Sequence, residues 1–183
     1  MNHNFQIISA RLIMRQVQFG DTDDIFEYRA DTEANKYQGW IPKTSDDVQE
    51  FITEKVCPEI NQPGTWFQFA IIKKENNKLI GDIGVHFLPY DDFQVEIGCT
   101  LNKEYHGKGY ATEALKEIIS YVFGGLNKRR IIASIDPRNQ SSIKLFERLG
   151  FRMEAHFKES LFINGEWVDD LVYAILKDEW KEN

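Results

Sequence analysis

Residues 96–114 run Glu96-Ile-Gly-Cys-Thr-Leu-Asn-Lys-Glu-Tyr-His106-Gly107-Lys108-Gly109-Tyr110-Ala111-Thr-Glu-Ala, and their types and spacing fit phosphate binding. An apolar strand enters a glycine-punctuated turn, and the turn opens a long amphipathic helix. The first N–H groups of a helix have no partners inside it, and the helix dipole adds partial positive charge at that end. Gly107 and Gly109 let backbone approach a ligand closely, and Ala111 keeps the first turn small. A pyrophosphate fits such a loop, although the same glycines alone serve equally well as a plain turn. Two other phosphate motifs are excluded. No stretch reads G-x-x-x-x-G-K-S/T, and the third glycine of G-x-G-x-x-G is missing.

Periodicity and turn chemistry give the elements that must hold this loop. Residues 5–15 read as a strand and 21–30 as a helix with acidic residues in its first turn. Thr44 and Asp47 form a capping pair for a helix carrying Val48, Phe51, Ile52 and Val56 on one face. Strands over 66–74, 79–88 and 93–101 make an antiparallel meander. A helix over 109–126 follows, then a buried strand over 130–135 and a helix from Asn139 to the C′ residue Gly150. The last element is a hairpin, 155–163 and 167–176, turned by Asn164-Gly165. The order β, α, α, β, β, β, α, β, α, β, β implies a mixed sheet with helices on both sides rather than a doubly wound parallel sheet.

Length, at 183 residues, suits one domain over 1–183, and 42% hydrophobic with 28% charged residues is ordinary for a globular chain. No apolar run reaches membrane-spanning length, the start lacks a signal-peptide pattern, and Cys57 and Cys99 make a poor disulfide framework. The expectation is a cytoplasmic protein that binds neither membrane nor nucleic acid, the net charge of −7 arguing against the latter. Acidic residues crowd positions 21–59, while basic ones collect from Lys103 to Arg152. One reading is a cationic substrate beside an anionic cofactor, the other simply solvated helix faces. His3, His86, His106 and His156 show no metal-ligand spacing, so no metal is expected.

A second motif, Asp136-Pro137-Arg138-Asn139-Gln-Ser-Ser142-Ile-Lys144-Leu-Phe146-Glu-Arg-Leu149-Gly150-Phe151, follows the glycine helix and its strand. With it the chain resembles the GCN5-related N-acetyltransferase (GNAT) family. His106 to Ala111 is similar to that family's Q/R-x-x-G-x-G/A loop, with His in first place. Ala10-Arg11-Leu12-Ile13-Met14-Arg15 with Asp21 and Asp24, Leu79 to Gly84, and Asn164 to Tyr173 resemble the branch that acetylates ribosomal-protein N-termini. The resemblance implies the GNAT fold, an α/β chain with a mixed, mostly antiparallel sheet of about seven strands splayed at the cofactor site. It also implies acetyl-CoA as co-substrate. Main-chain N–H groups of His106, Gly107, Lys108, Gly109, Tyr110 and Ala111 would hold the pyrophosphate. Cys99, Thr100 and Leu101 would run beside the pantetheine arm, and Asn139 would hydrogen-bond it. Ser142 would cap the helix or touch CoA, and Lys144 and Arg148 would meet the 3′-phosphate or merely face solvent.

Acetyl transfer needs a base, because a lysine-like amine has a pKa near about 10.4 and an α-amine near about 8. It also needs a donor for the developing oxyanion, which a backbone N–H of the splayed strand can supply. The resemblance makes Glu96 the candidate base, with binding of a cationic amine as its other reading. Glu154 and Glu159 stand in reserve, and Ser134 occupies the place of another catalytic glutamate of the family. The family's tyrosine acid is Phe146 here, counted with the cofactor-site residues. The thiolate therefore leaves unassisted, or takes its proton from water or from a hydroxyl such as that of Ser141. Trp40, Trp66, Phe87 and Tyr90 are candidates to line an acceptor groove, or are core. The expected activity is direct transfer within a ternary complex to a protein N-terminal α-amine. The alternatives are a small amine (polyamine, amino acid or aminoglycoside) and a non-catalytic acyl-CoA-binding module. The chain is expected to be a monomer or homodimer.

Overall fold

The computed structural model describes residues 5–181, so His3 lies outside it. One sheet runs in the order β1 (Gln6–Ile8), β2 (Leu12–Gln16), β3 (Thr65–Lys73), β4 (Leu79–Phe87), β5 (Gln94–Leu101), β6 (Arg130–Ile135), β8 (Glu166–Leu176), β7 (Arg152–Ile163). Every pairing is antiparallel except β5 with β6. Helices α1 (Thr22–Arg29) and α2 (Ser45–Glu50) cover one face, and α3 (Tyr110–Gly124) and α4 (Gln140–Arg148) the other.

Strand alternation sends side chains to two cores. Phe67, Phe69 and Ile71 of β3, Val85 of β4 and Ile97 of β5 pack beneath α3 with Leu115, Ile118, Ile119 and Val122. Ala70 and Ile72, one residue out of phase, meet Ile25 and Tyr28 of α1 and Val48 of α2. The eighth strand arises because residues 5–15 are not one strand. Ser9 N–H donates to the Leu12 carbonyl at 3.0 Å and Ser9 Oγ accepts from Leu12 N–H at 3.1 Å, folding the segment into a hairpin.

The capping pair is present. Thr44 Oγ1 accepts from Asp47 N–H at 3.3 Å, and Asp47 Oδ2 accepts from Thr44 N–H at 3.0 Å. The helix it opens is shorter than its apolar face suggests. After Glu50 it widens into one π-helical turn, Phe51–Lys55, and Val56 leaves to bridge Trp66. Asn164 and Gly165 both take positive φ, 51° and 89°, which closes the final hairpin. Among the described residues no helix is long and apolar enough to cross a membrane.

Candidate active site

Parallel β5 and β6 pair only from Gln94 to Glu96 and from Arg130 to Ile132. Beyond that point residues 97–101 and 133–135 part, leaving a gap with backbone groups on its walls. A groove of about 570 Å³ opens there, bounded by Cys99, Thr100 and Leu101, by the loop from His106 to Thr112, and by the start of α4.

The glycine loop is built as a donor nest. Gly107 and Gly109 sit at φ 73° and 79°, the left-handed region that glycine adopts without penalty. Among the described residues the N–H groups from Gly107 through Ala111 make no hydrogen bond. His106 differs from expectation. Its N–H is spent on the Lys103 carbonyl at 3.1 Å, closing a short 3-10 turn, while its Nε2 contacts the Leu101 carbonyl at 2.8 Å. Lys108 turns its ammonium back to the Glu104 carbonyl at 2.8 Å and is not among the residues lining the groove. Arg11 braces the loop from β2's end of the hairpin. It donates to Glu113 Oε2 at 2.6 Å and to the Lys108 carbonyl at 3.1 Å, and it lies 4.2 Å over the Tyr110 ring.

Asn139 caps α4, its Oδ1 accepting from Ser142 N–H at 3.1 Å and Ser141 Oγ at 2.8 Å. Among the described residues its side-chain N–H₂ makes no hydrogen bond. Asn139, Ser141, Ser142, Lys144 and Arg148 all line the groove. Phe146 does not, which corrects the expectation for it. It is 4% exposed in the core, edge-on to Phe151 at 5.0 Å, because α4 turns that position inward with Ile143.

A second cleft, also about 570 Å³, lies on the α1–α2 face and meets the groove at Gln38, Cys99 and Thr100. Its floor follows from register. Side chains on this face form rows across β3, β4 and β5: Trp66–His86–Glu96, then Gln68–Gly84–Gly98, then Ala70–Asp82–Thr100. The middle row ends in two glycines, so the sheet has a bare strip between the row of Glu96 and the row of Asp82. Trp40, Phe51 and Trp66 form apolar walls. Residues 31–44 complete both clefts, a role that no local pattern in the segment announces. Of the proposed aromatics, Trp40 and Trp66 line the cleft. Phe87 is 2% exposed in the core and Tyr90 97% exposed on a turn.

Beneath the cleft, Asp82 is buried and accepts from Tyr28 Oη, from Gln68 Nε2 and from both ends of the Arg29 guanidinium, with Arg29 Nε at 2.9 Å. Of the acidic run at positions 21–59, only Asp47 and Glu50 reach the cleft lining. Most of the rest face other partners, such as Arg15 for Asp21 and Lys103 for Asp31.

Glu96 stands at the last paired position of β5, one row behind Gly98 and outside the cleft lining. Its side chain is 27% exposed, and burial pushes its carboxyl above the usual carboxylate range, partly offset by His86. Asp170 of β8, whose Oδ1 accepts from Ser134 Oγ at 2.7 Å, raises it further. Sequence reasoning missed Asp170 as part of this cluster, since only the β6–β8 pairing brings it near. Glu154 is bound in ion pairs to Arg130 and Arg152, and Glu159 sits at an exposed irregularity of β7; neither lines a cleft. Cys99 borders both clefts, but burial pushes its thiol up to about 12.

Residues 11–152 match a family model described as an acetyltransferase (GNAT) domain. The uncharacterized N-acetyltransferase YnaD of Bacillus subtilis is 34% identical over 177 residues, spanning 95% of this chain and 98% of its own. The ribosomal protein uS5-alanine N-acetyltransferase of Escherichia coli is 29% identical over 123 residues, 67% of this chain and 63% of that enzyme. The crystal structure of a GNAT-family acetyltransferase from Bacillus anthracis matches with a TM-score of 0.84 at 31% identity, covering 96% of this chain and all of that one.

Proposed function

The chain belongs to the GNAT acetyltransferase family, and from that premise we propose that it transfers the acetyl group of acetyl-CoA to the α-amine of a protein N-terminus. The observation that carries this reading is the meeting of a donor-lined groove and an apolar cleft at Cys99 and Thr100, where the two parallel strands part.

The groove fits the co-substrate. The unpaired N–H groups from Gly107 to Ala111 suit a pyrophosphate. The unpaired edges of β5 and β6 suit an extended amide-bearing arm, with the Asn139 amide N–H₂ beside it, and Lys144 and Arg148 suit a further phosphate. Bound there, acetyl-CoA supplies the activated acetyl group. Glu96 takes the proton of the incoming ammonium through water, because it is set back from the cleft by one row, about 6.7 Å along the strand. Its raised pKa brings it nearer the operating pH, where a base works best. Burial pushes the Cys99 thiol up, which disfavours it as an acetyl carrier and supports direct transfer within a ternary complex.

The cleft favours an acceptor with one positive charge. Its walls are aromatic, the Asp47 carboxylate is held in its capping box, and Arg29 is neutralised by Asp82. Glu50 is left as the one acidic group in the lining without such a partner among the described residues, and Lys55 lies in the same lining. A polyamine would call for several carboxylates. The Escherichia coli relative, named for an alanine of a ribosomal protein, supports the same choice.

Thiol release from acetyl-CoA tests the reading. Peptides with free Ala, Ser or Thr N-termini should turn over, and should lose rate when truncated to one residue. Turnover on polyamines, amino acids or aminoglycosides alone would make the acceptor a small amine. No turnover with acetyl-CoA binding retained would leave a binding module.

A further inference from the structure

His86 stands in the row between the aromatic wall and Glu96. Its ring stacks on Trp66, centroids 4.6 Å apart and planes within 6°. Its Nδ1 is buried, has no hydrogen-bond partner among the described residues, and lies 3.5 Å from Glu96 Oε2. The side chain still keeps 22% of its surface exposed, so the open edge of the ring is the one away from Nδ1. A buried polar atom without a partner is costly. The carboxylate 3.5 Å away is the group that can use it.

We propose that His86 is the positioning residue of Glu96: clamped by Trp66, it presents Nδ1 to Oε2 and fixes the pose of the carboxylate. This rests on the reading of Glu96 as base. One proton first leaves the ammonium and reaches the Glu96 carboxylate through water. The free amine then attacks, the N–C bond forms as the C–S bond of the thioester breaks, and the second amine proton leaves with the CoA sulfur as the thiol. Glu96 gives its proton back to solvent. Throughout, His86 Nδ1, 3.5 Å from Glu96 Oε2, keeps the carboxylate in place.

The groups around Glu96 give this coupling a sign. Burial raises its pKa, and Asp170, facing it from β8 and hydrogen-bonded by Ser134 of β6, raises it further. Trp66 on β3 and Ile132 on β6 complete the row and carry no charge. His86, from β4, is the group that opposes the rise. Without it, only influences that disfavour the carboxylate remain.

The test is a carbon-13 carboxyl NMR titration of Glu96 in the ligand-free protein. His86→Phe keeps the stack on Trp66 and removes the nitrogen, and should raise the Glu96 midpoint by on the order of one pH unit. His86→Asn places an amide nitrogen where Nδ1 was and should restore much of the difference. His86→Gln, which extends past that position, should behave like His86→Phe. The acidic limb of kcat/KM on a peptide with an N-terminal Ala should move with the midpoint. An unmoved midpoint in His86→Phe overturns the inference. Should that variant not fold, equal midpoints in His86→Asn and His86→Gln overturn it instead. Glu96→Gln separates the two readings. Full turnover in that variant removes Glu96 as base and this inference with it. Lost turnover beside an unmoved midpoint overturns the role of His86 alone.

Discussion

Gly84 and Gly98 are cross-strand partners on β4 and β5, and each is glycine for an opposite reason. A Cβ on Gly84 would fall 2.9 Å from Gln68 Oε1 and 3.0 Å from the Trp66 ring. A Cβ on Gly98 would meet nothing within 4 Å, because the space above it is the cleft on the α1–α2 face. One glycine is demanded by packing and the other by vacancy.

Substitution should therefore separate stability from activity. Gly84→Ala forces Gln68 or Trp66 to move and is expected to destabilise the fold by about 1–3 kcal/mol, as overpacking does. Gly98→Val needs no unusual backbone angle and should leave the melting temperature nearly unchanged. By filling the cleft it should lower turnover at least about tenfold, roughly 1.4 kcal/mol of barrier. Thermal melts and thiol-release assays on the two variants check this. A Gly98→Val enzyme with wild-type turnover would place the acceptor elsewhere.

Glu96→Gln should lower turnover by about 10²–10⁴-fold, the usual contribution of a general base, while acetyl-CoA binding is kept. In the wild type, kcat/KM should fall on the acid side at a pH above the ordinary glutamate value of about 4.3, since burial raises this carboxyl. The same shift has a consequence for stability. The folded-state pKa lies above that of the unfolded chain, so ionising Glu96 weakens the fold. That weakening is absent below the unfolded value and fully present once pH has risen through the folded one. Glu96→Gln should thus melt higher than wild type at pH 7 and lose that advantage in acid. Equal melting temperatures at both pH values would contradict the raised pKa.

Most elements are legible because their signals are local, although the helix opened by Thr44 ends at Glu50 and the strand expected over 155–163 begins at Arg152. The Thr44–Asp47 box, the Asn164-Gly165 turn and the Gly107 and Gly109 loop each act within a few residues. The first hairpin was read as one strand because Ser9 makes its turn with a side-chain oxygen, in a segment that stays apolar on both sides. Two motifs mark residues that line the groove beside β5, apart from Phe146, whose inward face is set by the packing of α4 against Phe151. The cleft on the α1–α2 face has no such motif. His86 and Asp170 become neighbours of Glu96 only through strand register, and residues 31–44 carry no pattern that assigns them to a cleft.

Arg11 and Glu113 join the first hairpin to the first turn of α3, and Ser9 Oγ donates to the same carboxylate at 2.7 Å. Arg11 is nearly half exposed, so Arg11→Ala should cost little stability, on the order of 1 kcal/mol or less. Its larger effect should fall on the glycine loop, whose Lys108 carbonyl and Tyr110 ring it holds. Affinity for CoA, measured by calorimetry, is expected to drop several-fold with the melting temperature nearly constant. Unchanged affinity would mean that the loop holds its shape through Gly107 and Gly109 alone.

Asp82 is buried and ion-paired beneath the cleft on the α1–α2 face. Its carboxylate is 2% exposed, its partner Arg29 10%, and Tyr28 and Gln68 complete its hydrogen bonds. Solvent screening does little for a pair this deep, and removing one member strands the charge of the other. Asp82→Ala should destabilise the protein by about 3–5 kcal/mol in urea denaturation. Asp82→Asn keeps hydrogen-bonding capacity but not the charge, and should also be strongly destabilised, because the Arg29 guanidinium remains buried and unpaired. Replacing both partners together by apolar residues of similar volume, Arg29→Met with Asp82→Leu, should recover much of the loss, as apolar replacement of buried ion pairs does elsewhere. The double variant also asks what the pair does for the cleft. Arg29 lies 5.4 Å from the Trp40 ring, and Trp40 stacks on Phe51 at 4.6 Å. If Arg29 positions that wall, the double variant should fold yet show a raised KM for the acceptor peptide with kcat little changed. If stability and KM both return to wild type, the pair holds the sheet to α1 and takes no part in shaping the acceptor site.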